Sequence, residues 1–140
     1  MNIWRRSFEV RPPALAEGDE RNPAILEQYR EVGRDNLPLS ESLKDTIERV
    51  VPYYEKVIRS DMEQGKRVLI TAHGNTIRAL VKTFDNLSNE EIMEVNIPTG
   101  IPLVYIFNEQ GQVVKKYYLG DENNIREKVG KVSDQGKVAV

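Results

Sequence analysis

The sequence contains no cysteine. Disulfides and thiolate metal sites are therefore excluded. Histidine occurs once, at position 73, so a zinc site would have to be built almost entirely from carboxylates. No metal-ligand spacing is present. No stretch approaches the roughly 20 apolar residues of a membrane helix. The start, Met1-Asn2-Ile3-Trp4-Arg5-Arg6, lacks the apolar run of a signal peptide. A cytoplasmic protein with no membrane partner is the expectation. Excess positive charge is also lacking: the formal net charge is −2, which predicts no general attraction to nucleic acid. Neither a Walker-type loop nor a G-x-G-x-x-G stretch occurs.

What is present is the composition of a globular chain. At 140 residues it has the length of one domain with a real core. Met1 to Asn36 carries Pro12, Pro13, Pro23, Gly18 and Gly33 and reads as a long loop with short helical pieces. Loops of that length are often functional. Leu43, Ile47, Val50, Val51, Tyr54, Val57 and Ile58 then recur at helical spacing. Ser40 or Ser42 is placed to cap that helix, Pro52 to kink or split it, and Gly65 to end it.

Val68–Thr71 is a short apolar run between two helical patterns and predicts a buried parallel strand. After His73-Gly74-Asn75 a second helix presents Ile77, Leu80, Val81 and Phe84 on one face. Ser88 and Glu91 form a capping box for a third helix, ending near Val95. Leu103–Phe107 and Val113–Leu119 flank Glu109-Gln110-Gly111 and predict a hairpin. Residues 121–140 form a polar tail, loosely packed or partly disordered, behind a domain of residues 1–120.

This order suits an α/β layered domain. A single parallel strand makes no sheet, however. Its partners must be the C-terminal strands, another chain, or sequence outside these 140 residues.

Chemistry concentrates at one place. His73 follows a strand and precedes a helix, where open α/β sheets bind ligands. Gly74 lets backbone approach a ligand, and Asn75 can cap the helix or bond a ligand. The helix's first N–H groups add an anion site beside a titratable group. The competing reading is a polar turn residue with Asn75 as a simple cap. Arg5 and Arg6 can clamp a phosphate or carboxylate, or can be merely solvated. Arg78, one turn into the second helix, can face the core boundary or pair with an acid, and is given no functional role. The pairs Tyr53-Tyr54 and Tyr117-Tyr118 read as packing.

Longer runs narrow the choice. Ile3–Phe8 with Arg11-Pro12-Pro13, Leu37–Thr46, Val68–Lys82, Asn96–Tyr105 and Tyr117–Asp121 all resemble, in order and spacing, segments of cofactor-dependent phosphoglycerate mutases of the histidine phosphatase superfamily. The resemblance implies an α/β fold: the C-terminal part of a three-layer α/β/α domain with an incomplete central sheet. It implies interconversion of 2- and 3-phosphoglycerate through a phosphohistidine, primed by 2,3-bisphosphoglycerate, with phosphoglycerates as small-molecule partners and no metal.

In that picture His73 is a transition-state stabiliser. Gly74, Asn75, Arg5 and Arg6 bind substrate. The family's nucleophile, a histidine in Arg-His-Gly, and its glutamate acid/base, in Glu-Arg-His-Tyr-Gly, have no counterpart in these residues. The chain alone is thus expected to be inactive. The Val68–Thr71 strand would lack its neighbour and expose an unpaired edge, and a homo-oligomer is compatible with that exposure. The alternative reading is a non-catalytic phosphate-ligand or interaction module that pairs with full-length subunits.

Overall fold

Ser42 decides where the first long helix begins. Its hydroxyl accepts from the Asp45 N–H, and the Asp45 carboxylate accepts from the Ser42 N–H, which satisfies two orphan donors at once. In this computed structural model, which describes Trp4 and residues 7–134, helix α1 then runs Leu43–Tyr53. The chain stays helical through a wider π turn, Tyr54–Ile58, into α2, Arg59–Glu63. Pro52 has no N–H to give the preceding turn, and the wide turn follows directly. Neither a break nor a sharp stop occurs. The extra residue rotates the inward face: Tyr54 is buried, whereas Val57, expected inside, is 42% exposed.

Residues 7–42 form a long loop of the kind expected. Its short 3₁₀ turns are Pro23–Ile25, Glu27–Tyr29 and Arg34–Asn36. Backbone bonds fasten it beside α1, from the Leu15 N–H to the Leu39 carbonyl and from the Lys44 N–H to the Phe8 carbonyl. Arg11 adds a two-pronged contact to Asp45 at 2.7 and 2.5 Å. That contact, with the Ser42 hydroxyl and N–H, holds the Asp45 carboxyl well below the usual carboxylate range.

A depressed carboxylate pKa stabilises the fold above the unfolded value of about 3.9 and loses that contribution as pH falls through the folded value. Asp45→Asn should therefore flatten the acid limb of stability below about pH 4. Urea midpoints measured against pH check this. Identical acid slopes in both proteins would refute it.

Helix α3, Gly74–Phe84, packs on α1, and α4, Asn89–Glu94, closes over their ends. Ser88 caps α4 with Glu91 as the spacing predicts. The core joins Leu43, Val81, Ile92 and Ile97, with Phe8, Ile47, Ile77 and Leu103 packed around it.

Strands β1, Leu103–Phe107, and β2, Val113–Tyr118, form the expected antiparallel hairpin, with Leu103 opposite Tyr118. Gly111 supplies the positive φ of its turn. Phe84 sits edge-on to Tyr54, Tyr105 and Phe107 at 4.9, 5.0 and 5.2 Å, which welds the hairpin to the helices. The Tyr105 hydroxyl donates to Asp85 at 3.1 Å, and Lys116 pairs with the same carboxylate.

One expectation needs correction. Val68–Thr71 is no strand of the sheet, which consists of β1 and β2 among the described residues. Nor is it buried: Leu69 is 85% exposed. Ladder hydrogen bonds require a neighbour, and the C-terminal strands do not provide one. After Gly120 the polar segment, expected to be loosely packed or partly disordered, carries a helix over part of its length. Glu122–Asp134 forms helix α5, with Asp121 accepting from the N–H groups of Asn123 and Asn124, although none of its residues is buried.

Candidate functional site

Lys66 to His73, outside any helix or strand, lines an open cleft of about 1970 Å³ and delivers His73 to the start of α3. His73 keeps extended backbone angles, φ −62° and ψ 150°, and is the N-cap. Its Nδ1 accepts from the Asn75 N–H at 3.3 Å, and its carbonyl accepts from the Ile77 N–H at 3.1 Å. A neutral imidazole that accepts at Nδ1 carries its proton on Nε2. The ring is therefore arranged as a hydrogen-bond donor toward a ligand, and it is exposed.

Asn75, expected as cap or ligand group, is not the cap. It lies inside the first turn, and its side-chain oxygen accepts from Arg78 Nη1 at 3.4 Å. The Asn75 N–H is already engaged by His73, so its backbone is not an idle donor. Gly74 has an ordinary negative φ, so its backbone conformation does not demand glycine. A Cβ placed there would meet nothing within 4 Å. The space over Gly74 is open, as close approach by a ligand requires.

Arg78 is the residue that sequence reasoning passed over. It is 9% exposed, and its Nη2 donates to the Ile92 carbonyl at 2.7 Å. It thus ties the His73 end of α3 to α4 while holding the Asn75 side chain. The three-residue spacing from Asn75 was a readable signal of a helical neighbour. Its burial was not readable, because α4 supplies it.

Arg5 and Arg6 lie outside the described residues. Trp4 and Ser7, on either side of them, border the same cleft as His73, Gly74 and Asn75. So does the Asn96–Pro102 loop, with Gly100 at positive φ. Among the described residues no group of three metal-ligating side chains occurs, and no helix is long and apolar enough to cross a membrane.

A helix N-terminus with a donor imidazole and open space over a glycine suits a phosphorylated anion. Residues 12–119 match the family described as the histidine phosphatase superfamily (branch 1). A 2,3-bisphosphoglycerate-dependent phosphoglycerate mutase of Treponema denticola is 58% identical over 137 residues, covering 98% of this chain and 56% of that protein. One of Lachnoclostridium phytofermentans is 57% identical over 140 residues, covering all of this chain and 56% of its own length. A third, of Borreliella burgdorferi, is 48% identical over 136 residues. The chain spans about half the length of the curated relatives it matches.

Proposed function

The chain belongs to the histidine phosphatase superfamily (branch 1), and from that premise we propose that it forms part of a phosphoglycerate mutase interconverting 2- and 3-phosphoglycerate. The observation that carries this reading is His73 as the N-cap of α3, its Nδ1 tied to the Asn75 N–H. That bond occupies the nitrogen facing the helix and reserves Nε2 for the ligand.

His73 then serves as a donor to phosphoryl oxygens. Donors fixed before reaction and aimed at developing charge are often the largest catalytic contribution. The N-terminal end of α3 adds its partial positive charge, and the open space over Gly74 admits the anion. Arg78 keeps the Asn75 side chain in place. Arg5 and Arg6 are assigned to the carboxylate or the distal phosphate. 2,3-Bisphosphoglycerate fits the same donor set, with two phosphates and a carboxylate, and when bound it supplies the phosphoryl group that primes the enzyme.

One imidazole cannot both attack phosphorus and hold the group in transfer. These 140 residues contain one histidine, and no Arg-His-Gly. A coupled mutase assay on the purified chain with 2,3-bisphosphoglycerate is therefore expected to show no turnover. Addition of the mutase segment that this chain does not match is expected to restore it. Turnover by the chain alone, abolished in His73→Ala, would overturn the assignment and make His73 a nucleophile.

A further inference from the structure

Arg78 is a charge buried where stability alone would not place one. It is 9% exposed and lies just past the first turn of α3, near the positive end of that helix's dipole. Burying a cation costs desolvation, and an apolar side chain of similar size is often as stable in its place. Its contacts point to a use. Nη2 donates to the Ile92 carbonyl and lies 3.9 Å from the Met93 sulfur. The same carbonyl accepts from the Val95 N–H at 3.3 Å, at the C-terminal end of α4. One side of the guanidinium is thus tied to a helix whose start is fixed by the Ser88–Glu91 capping box. On the other side Nη1 reaches the Asn75 side-chain oxygen.

A guanidinium carries donors and no acceptor. It can face the oxygen of a side-chain amide but not the nitrogen. The Asn75 oxygen is therefore turned inward to Arg78, and the Asn75 NH2 is turned away from it. Asn75 is exposed and lines the cleft with His73 and Gly74. Its NH2 makes no hydrogen bond among the described residues. An exposed amide with no such partner turns freely and offers oxygen and nitrogen alike. Oxygen turned outward would repel an oxyanion.

We propose that Arg78 is a positioning residue of this site. It acts through Asn75, holding the amide so that its NH2 stands as a second side-chain donor in the same turn as His73. The inference rests on the mutase reading for its ligand, a phosphorylated anion. To that reading it adds the means by which a neutral amide becomes selective for negative oxygen. Phosphate and carboxylate oxygens, which only accept, are favoured. An ammonium group finds no acceptor at Asn75.

Nuclear magnetic resonance on the 15N-labelled chain, with inorganic phosphate as the probe, tests this. Asn75→Ala identifies the Asn75 side-chain NH2 signal by its loss. In the parent that NH2 is expected to be rigid and to shift as phosphate is added. Arg78→Met keeps much of the length and has no donors. It should free the amide and weaken phosphate binding about tenfold, the usual effect of losing one hydrogen bond to a charged group. In an Asn75→Ala background the same substitution should add less than about a twofold loss, because the residue through which it acts is gone. Arg78→Lys keeps the charge and exchanges the planar fork for one ammonium. It should resemble Arg78→Met in both readouts, and it carries the test if the methionine variant does not fold.

Four results overturn the proposal: an Asn75 NH2 as mobile in the parent as in the variants; an NH2 signal that phosphate leaves in place; a loss in Arg78→Met that is undiminished in the Asn75→Ala background; or full phosphate affinity in Arg78→Lys, which would mean that charge alone suffices. No readout here needs turnover. The expected couplings in a chain that stays inert toward phosphoglycerates when completed by the unmatched mutase segment sink the mutase reading and leave the role of Arg78. An active completed enzyme whose kcat and KM ignore Arg78→Met does the reverse.

Discussion

His73→Ala is expected to lower kcat about 10²–10³-fold in the chain completed by the unmatched mutase segment, the usual consequence of removing one preorganised donor from a developing negative charge. Two separate things are lost in that variant. One is the Nε2 donor. The other is the N-cap bond from the Asn75 N–H, and loss of a cap costs roughly 0.5–2 kcal/mol of stability.

His73→Asn separates them. Asparagine is a strong N-cap acceptor, so the thermal melt should stay near that of the parent. It places no donor where the imidazole Nε2 lay, so kcat should fall almost as far as in the alanine variant. Steady-state rates and melts on the same preparations read both quantities. A kcat retained in His73→Asn would reduce the residue to a helix cap. A kcat retained in both variants would remove it from the site altogether.

Ile92→Ala is expected to have the largest effect on stability. Ile92 is fully buried in the cluster of Leu43, Val81 and Ile97, where α1, α3 and the loop after α4 converge. Truncating a buried isoleucine to alanine costs about 2–5 kcal/mol, part of it for the cavity left behind. Domains are stable by only about 5–15 kcal/mol in all, and this one carries an open cleft along one side. A fall in melting temperature of roughly 10 °C follows from the usual unfolding entropy of a chain this size.

The site is coupled to that loss. The Ile92 carbonyl accepts from Arg78, and Arg78 holds the Asn75 side chain. Exchange at the start of α3 should therefore rise in Ile92→Ala. Ile92→Val, which removes a single methyl group, should cost about 0.5–1.5 kcal/mol by the same reasoning. Urea denaturation gives both numbers. A loss below about 1 kcal/mol for the alanine variant would mean that the cluster is not the centre of the core.

The features legible in the sequence were those set by neighbours a few residues apart. Ser42 with Asp45, and Ser88 with Glu91, close capping boxes over three residues. The inward face of α3 follows from helical periodicity, and Leu80 and Val81 are buried as that periodicity requires. The turn at Gly111 follows from local backbone freedom, and the hairpin from the two runs beside it. The match to the histidine phosphatase superfamily covers residues 12–119.

Other features were decided only in three dimensions. The sequence around Val68–Thr71 carries strand propensity, but a strand is a relation between two chains of backbone, and propensity cannot supply the second. The segment consequently stays outside the sheet and largely exposed. Asn75 looked like the cap, yet the ring of His73 reaches the N–H first and leaves the amide to Arg78. Arg78 itself is buried because α4 folds back over α3 and offers a carbonyl, an event fourteen residues away in sequence. Pro52 announced a disturbance of the first helix, and the tertiary core chose its form. A wide turn keeps the chain helical and puts Tyr54 against Phe84.

By itself, then, the sequence determined the capping boxes of α1 and α4, the hairpin turn, the inward face of α3 and the family, because each depends on local sterics and on residue order. Tertiary structure decided which nitrogen of His73 is left for a ligand, what holds Asn75, and what buries Arg78. Those depend on which groups meet across long sequence distances, and hydrogen bonds form only where such groups are brought together.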